Sequence, residues 1–151
     1  MSWLVSRRQG CYDAALLLIR LMLAAVFMFH GAQKLFGSFE GPGMAAWTES
    51  LTKMQVPMPA VAAWVSALTE FGGGLLVAIG LLTRLVTIPM IINMAVAIIM
   101  VHPGAFSSQK GGMEFPLTLA VMLTALLIAG PGRWSVDGMI SGECCPRKKS
   151  A

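Results

Sequence analysis

The stretch Leu16–Gly37, LLLIRLMLAAVFMFHGAQKLFG, decides how the rest of the chain is read. It is apolar enough to enter a bilayer, yet it carries Arg20, His30, Gln33 and Lys34. An α-helix turns about 100° per residue, so Arg20, His30 and Lys34 fall within roughly 80° of one another, on the side that also holds Leu23, Phe27 and Gly31. Ionisable groups at membrane depth are costly and face a bundle interior or a wet cavity rather than lipid. The remaining chain is therefore expected to supply partners for this face.

Of the 151 residues, 56% are hydrophobic and 12% charged. That balance excludes an ordinary soluble domain and leaves room for about four spans of ~20 residues. The net charge of +4 does not point to nucleic acid. Most basic residues flank apolar runs, where they set topology, and no basic stripe is interleaved with aromatics. Cys11, Cys144 and Cys145 form no C-x-x-C pair and no zinc-ligand spacing, so no metal site is expected. Ser6-Arg7-Arg8 faintly resembles a twin-arginine start, but no small-residue cleavage site follows, so the first span is expected to stay.

Residues 1–13 read as a short amphipathic lead, with Trp3, Arg7 and Arg8 suited to the headgroup layer. The first span is expected over 14–36. Gly37, Gly41, Pro42 and Gly43 break it, and residues 44–54 mix Ala45, Leu51 and Met54 with Thr48, Glu49 and Lys53, the pattern of a short interfacial helix lying over the outer mouth. The second span, over 60–82, carries Glu70 and the run Gly72-Gly73-Gly74, which lets a neighbouring backbone approach closely. Thr83-Arg84 reads as the turn. The third span, over 85–101, carries Pro89 and Asn93 and ends at His102-Pro103; the fourth runs from Glu114 to Ala129, closed by Gly130-Pro131-Gly132-Arg133. The expected fold is an all-α, integral-membrane four-helix bundle with a short interfacial helix between helices 1 and 2. Its membrane domain spans 14–138, followed by a basic tail over 139–151. Helices one and three are each expected to end outward at a His followed by a breaker, His30-Gly31 and His102-Pro103; each is followed by a Glu-Phe pair, a faint echo of two related hairpins.

Orientation follows from Lys and Arg asymmetry. With both termini inside, Arg7, Arg8, Arg20, Arg84, Arg133, Arg147, Lys148 and Lys149 lie on the inner side, against Lys34, Lys53 and Lys110 outside. The expectation is a multi-pass protein of the bacterial inner membrane with both termini cytoplasmic. That placement argues against a disulfide at Cys144-Cys145.

Helix rise sorts the polar residues into two layers. Arg20 and Asn93 are expected in an inner one; His30, Gln33, Lys34, Glu70, His102 and Glu114 in an outer one. Glu70 is expected to reach His30 or Lys34, and Arg20 to snorkel inward or stretch toward Glu70. Satisfied pairs that fix helix register are the bland reading. It weighs evenly for Arg20 and Asn93 and more heavily for the interfacial His102 and Glu114, whereas Glu70 with His30 and Lys34 favours a ligand site or proton relay. A small apolar-walled cavity with donors and one carboxylate suits a quinone headgroup or another small polar ligand. The twelve methionines are spread over several faces and read as core filler rather than Cu(I) ligands. Trp47, Trp64 and Trp134 read as interface anchors.

In order along the chain, Arg20, His30-Gly31, Lys34-Leu35, Glu70, Gly73-Gly74, Thr83-Arg84, His102, Gly112, Glu114 and Gly130-Pro-Gly-Arg133 with Ser135 and Asp137 resemble the DoxX family of small four-helix bacterial membrane proteins. The resemblance spans about Leu16 to Gly138. It implies an inner-membrane protein associated with redox complexes, the family's namesake being linked to a thiosulfate:quinone oxidoreductase, and it does not fix a reaction. The first functional reading is a redox-linked subunit that binds a quinone or similar ligand in the outer half of the bundle. Electrons would then be carried by that quinone or by a partner subunit, since the spans hold no dithiol. The second is a non-enzymatic scaffold or assembly factor for a redox, stress-response or metal-handling complex, and the third a small-solute or metal transporter. The expected partners are the lipid bilayer and a protein partner or second copy, with no nucleic acid. Reporter fusions at Ser150 and within the 104–112 loop are expected to give opposite topology signals; identical signals would contradict the four-span reading.

Overall fold

Helices in this chain end where glycine or a left-handed residue interrupts the hydrogen-bond ladder, and those interruptions place every other element. The computed structural model describes residues 9–142. Trp3, Arg7, Arg8, Cys144, Cys145, Arg147, Lys148 and Lys149 lie outside the described residues. Among those described there are helices and no strands: α1 Gln9–Phe36, α2 Gly43–Lys53, α3 Pro59–Ile79, α4 Thr83–Val96 continued by a π-helical turn Ala97–Val101, a 3₁₀ turn Ser108–Lys110, α5 Glu114–Ala129 and α6 Val136–Ile140. The protein is an all-α membrane bundle of four apolar helices, α1, α3, α4 and α5, with the short α2 between the first two.

Three of these are long and apolar enough to cross a bilayer: 27 residues in Gly10–Phe36, 21 in Pro59–Ile79 and 19 in Thr83–Val101. α5 has 16 residues, about 24 Å of rise, less than the ~30 Å hydrocarbon thickness. It nevertheless runs the length of the bundle. The chain just beyond it returns to the start of α1, where Arg133 N donates to Asp13 Oδ1 at 3.0 Å, so the two described ends share one end of the molecule.

The core is built from Leu23 and Phe27 of α1, Val77 of α3, Met90 of α4, and Leu123 and Leu126 of α5, all buried. Lipid-facing positions such as Leu18, Val65, Ile92 and Ile128 are exposed on the bundle surface, as a bilayer solvent permits. α1 and α3 run antiparallel in close contact. A Cβ at Gly31 would lie 2.5 Å from the Phe71 backbone N, and one at Gly74 would lie 2.9 Å from Met28 Cγ. Gly73 opens the other side of α3 to Met90 of α4, while Gly72 has nothing within 4 Å. Two members of the glycine run therefore serve packing, as small residues do between membrane helices.

Several boundaries differ from the sequence expectation. α1 begins at Gln9 rather than near residue 14 and passes straight through His30-Gly31, where Gly31 is a packing residue and not a breaker. The echo between His30-Gly31 and His102-Pro103 is lost at that point. α3 stops at Ile79 because Gly80 turns left-handed (φ 70°) and Leu82 follows (φ 49°). The turn is thus Gly80–Leu82, with Thr83 and Arg84 already helical. Gly31→Ala is expected to destabilise the bundle by roughly 1–3 kcal/mol through overpacking against Phe71, whereas Gly72→Ala should be close to neutral. Thermal unfolding of both variants in one detergent checks this, and equal midpoints would contradict the packing.

Candidate functional site

Lys34 lies near the C-terminal end of α1, at the α2 end of the bundle, and Glu70 near the middle of α3. In the antiparallel register set by Gly31 against Phe71, the Lys34 backbone sits about 3 Å further out than that of Glu70, at 1.5 Å per residue. Cα–Cβ bonds tilt toward each helix's own N-terminus. Lys34 therefore leans inward and Glu70 leans outward, and the side chains meet. Lys34 Nζ lies 2.6 Å from Glu70 Oε1, with the side chains 17% and 5% exposed. Asn93 of α4 donates from Nδ2 to the same oxygen at 3.0 Å. The second carboxylate oxygen, Oε2, is buried and has no hydrogen-bond partner among the described residues.

α2 closes this centre from its own end of the bundle. The Trp47 ring lies 4.4 Å below Lys34 Nζ, measured to its centroid, a cation–π contact. The indole N–H donates to Ser66 Oγ at 3.0 Å, and Ser66 Oγ donates to Ala63 O at 3.0 Å. Trp47 was expected as a plain interface anchor; its fixing role is legible only through Ser66, a polar residue one turn before Glu70 on the same face of an apolar helix.

Two cavities flank the ion pair, and Lys34, Trp47, Glu70, Ala97 and Val101 wall both. The first, of about 270 Å³, lies between α3 and α4 under α2 and includes Ser66, Thr69 and Asn93. Its apolar rim, Val65, Ile92 and Val96, is exposed on the surface that meets lipid. The second, of about 190 Å³, holds His30, His102 and Phe115. The π-helical turn Ala97–Val101 contributes to both. It follows Pro89, which lacks a ladder donor, and closes with His102 N donating to Ala97 O at 3.1 Å. Such turns redirect side chains and often occur at functional positions.

The other sequence candidates are distributed around this centre. His30 Nδ1 pairs with Gln33 Oε1 at 3.1 Å within α1, and its ring packs against Phe29 and Phe115 rather than reaching Glu70. Gln33 Nε2 donates to Phe39 O at 3.4 Å. His102 Nδ1 lies 2.8 Å from Gly111 O and so ties the loop before α5. Glu114 stands in the first turn of α5, where a carboxylate suits the helix dipole. Asn93 does not share a layer with Arg20. Ending α3 at Ile79 and starting α4 at Thr83 puts Glu70 nine residues and Asn93 ten residues from the turn, both about 14–15 Å deep.

Arg20 forms a separate centre at the opposite end and does not approach Glu70. It is 1% exposed. Nε donates to Val77 O at 3.0 Å, Nη2 to Ala78 O at 2.7 Å, and Nη1 to Pro131 O and Trp134 O at 2.9 and 2.8 Å. Val77 and Ala78 carry two of the last carbonyls of α3, where the helix dipole favours a cation; Val77 O also accepts from Gly80 N at 3.2 Å. Asp137 Oδ1 and Oδ2 accept from Leu82 N and Thr83 N at 2.8 and 2.9 Å, capping α4. Ser135 Oγ accepts from Gly138 N at 2.9 Å and caps α6. A wider cleft of about 500 Å³ opens beside this knot; its carboxylates, Asp13 and Asp137, are already engaged by backbone donors. Asp13 escaped the sequence reading because its partner lies 120 residues away.

Comparison with known proteins adds the following. The family model described as DoxX matches residues 15–103, which include every candidate of the Lys34–Glu70 centre but not Glu114. The uncharacterized membrane protein Rv3486 of Mycobacterium tuberculosis (strain ATCC 25618 / H37Rv) is 33% identical over 135 residues, 82% of this chain and 79% of the relative. No solved structure matches the chain.

Arg20→Ala would take the guanidinium away from four carbonyls, of which Val77 O keeps Gly80 N, a loss expected to exceed roughly 3 kcal/mol. Arg84→Ala removes an exposed guanidinium with one 3.3 Å bond to Ile128 O and should cost little. Arg20→Lys should rescue only in part, because an ammonium cannot reproduce the planar fork. Unfolding midpoints of the three variants check the ranking, and an Arg20→Ala protein as stable as Arg84→Ala would contradict it.

Proposed function

The chain belongs to the DoxX family of membrane proteins, and on that footing we propose that it is a redox-linked subunit binding a quinone or a similar small ligand in the outer half of the bundle. The observation that carries this reading is the part-buried Lys34–Glu70–Asn93 centre, with Glu70 itself buried, beside a cavity whose rim is open to lipid. Structural ion pairs in membranes do not need a cavity beside them; ligand sites do. At about 270 Å³ the space lies just under the usual ~300–1,000 Å³ of small-molecule pockets. It takes one ring-sized headgroup, with an apolar tail leaving between Val65 and Ile92 into the bilayer. Lys34 and Asn93 supply donors beside the ring, Glu70 supplies an acceptor, and Trp47 with α2 shields them from the aqueous side.

The described spans hold no dithiol, so electrons would come to the bound ligand from a partner subunit. In this proposal the Arg20 end faces the cytoplasm of a bacterial inner membrane, with both termini on that side, as the basic-residue asymmetry supports.

The test is ligand titration of the protein in lipid nanodiscs, followed by quenching of tryptophan fluorescence with tetramethylbenzoquinone and its hydroquinone. Wild type is expected to bind at least one form saturably. Glu70→Gln should lose affinity at least about tenfold for the tighter form, roughly one lost charged hydrogen bond, with helix content unchanged. Wild type that binds neither form, or a Glu70→Gln protein with undiminished affinity, would remove the ligand reading and leave the scaffold one.

A further inference from the structure

Lys34 Nζ and Asn93 Nδ2 both go to Glu70 Oε1, although the carboxylate has two oxygens. Oε2 is left buried without a donor, and a carboxylate oxygen can only accept. Among the described residues no donor lies within hydrogen-bonding distance of it. The Trp47 indole N–H is taken by Ser66 Oγ, Ser66 Oγ gives its own proton to Ala63 O, and His30 Nδ1 is paired with Gln33. Beside the cavities, then, a buried acceptor lacks a donor. A buried acceptor left this way is costly, and a ligand that supplies the proton removes that cost.

The walls restrict what such a ligand can be. Besides Lys34, Ser66, Thr69, Glu70 and Asn93, the larger cavity is lined by apolar and aromatic side chains, and its rim meets lipid. An ion or a sugar would lose its hydration there without replacement. An apolar ring bearing a hydroxyl would not. Its O–H can donate to Oε2, while its oxygen accepts from Lys34, whose ammonium carries three donors. A ring bearing only carbonyls would bring acceptor lone pairs against the carboxylate.

We propose that this site selects the hydroxyl-bearing, reduced form of its ligand: a hydroquinone or other lipophilic hydroxyaromatic, in preference to the oxidised quinone. The inference rests on the ligand reading above and adds the redox state the site recognises. Glu70 Oε2 is the selecting atom, and Lys34 and Asn93 are the groups that hold the carboxylate by its other oxygen.

Three probes of nearly equal shape separate the possibilities on wild-type protein in nanodiscs, without need of a variant: tetramethylhydroquinone kept reduced under anaerobic conditions, tetramethylbenzoquinone, and the hydroquinone's dimethyl ether. The hydroquinone is expected to bind at least about tenfold more tightly than either of the others, the size of one satisfied buried acceptor. Glu70→Gln, whose amide presents a donor as well as an acceptor, should narrow that ratio to about threefold or less. Equal affinity for hydroquinone and quinone, or tighter quinone binding, overturns the inference while leaving the proposed ligand site standing. A dimethyl ether that binds as well as the hydroquinone overturns it too, since the hydroxyl proton then contributes nothing. Failure of all three probes to bind removes the proposed function and this inference together.

Discussion

A carboxylate at mid-bilayer has to be met by a cation or by hydrogen-bond donors, and the contact between Lys34 and Glu70 is the point to which the packing of this bundle is referred. The 2.6 Å contact exists because α1 and α3 run antiparallel with their side chains leaning toward each other. It also needs the two backbones to come close, which Gly31 and Gly74 permit. α4 has to sit at the same depth for Asn93 to share the load, and Gly73 against Met90 provides that approach. α2 then lays Trp47 on the lysine from outside. Desolvation makes such a centre costly if any member is lost, so helix register, glycine positions and the short outer helix are mutually constrained.

The second charged centre works differently. Arg20 makes no ion pair among the described residues; its donors go to four main-chain carbonyls at the C-terminal end of α3 and in the segment after α5. It functions as a capping group lent by one helix to another, and it ties the last described segment to the bundle. Asp137 and Ser135 complete the same closure by capping α4 and α6. One end is therefore dense in hydrogen bonds, although Thr83 Oγ1 is buried there without a partner among the described residues, whereas the middle holds an ion pair, two cavities and the unpartnered Glu70 Oε2. In the proposed function it is the second unpartnered oxygen, beside the two cavities, that gives a ligand something to gain.

Much of this architecture is legible in the sequence. Hydrophobic runs separated by Gly and Pro gave the helices, and the shared face of Arg20, Lys34 and Phe27 pointed inward as helical periodicity requires. Glu70 stood out as the one carboxylate within an apolar run, and Lys34 was among its expected partners. Depth was harder to read. A few residues' difference in where α3 ends moved Glu70 to the level of Asn93 and away from the boundary, because turn chemistry at Gly80–Leu82 is not carried by hydropathy. Gly31 resembled a breaker because glycine at a helix end and glycine at a tight helix contact look alike without the partner, here Phe71. Asp13 and the four carbonyls around Arg20 were invisible for a simpler reason: main-chain acceptors have no sequence signature.

The interaction on which this account depends can be measured by itself. A double-mutant cycle with Lys34→Met, Glu70→Gln and the pair of substitutions together, read by reversible unfolding in bilayer-like micelles, isolates the coupling between the two side chains. The account predicts that each single substitution is more damaging than its share of the double one, with a coupling of at least about 1 kcal/mol. Strictly additive effects would show that Lys34 and Glu70 do not depend on each other, and would contradict the centre proposed here.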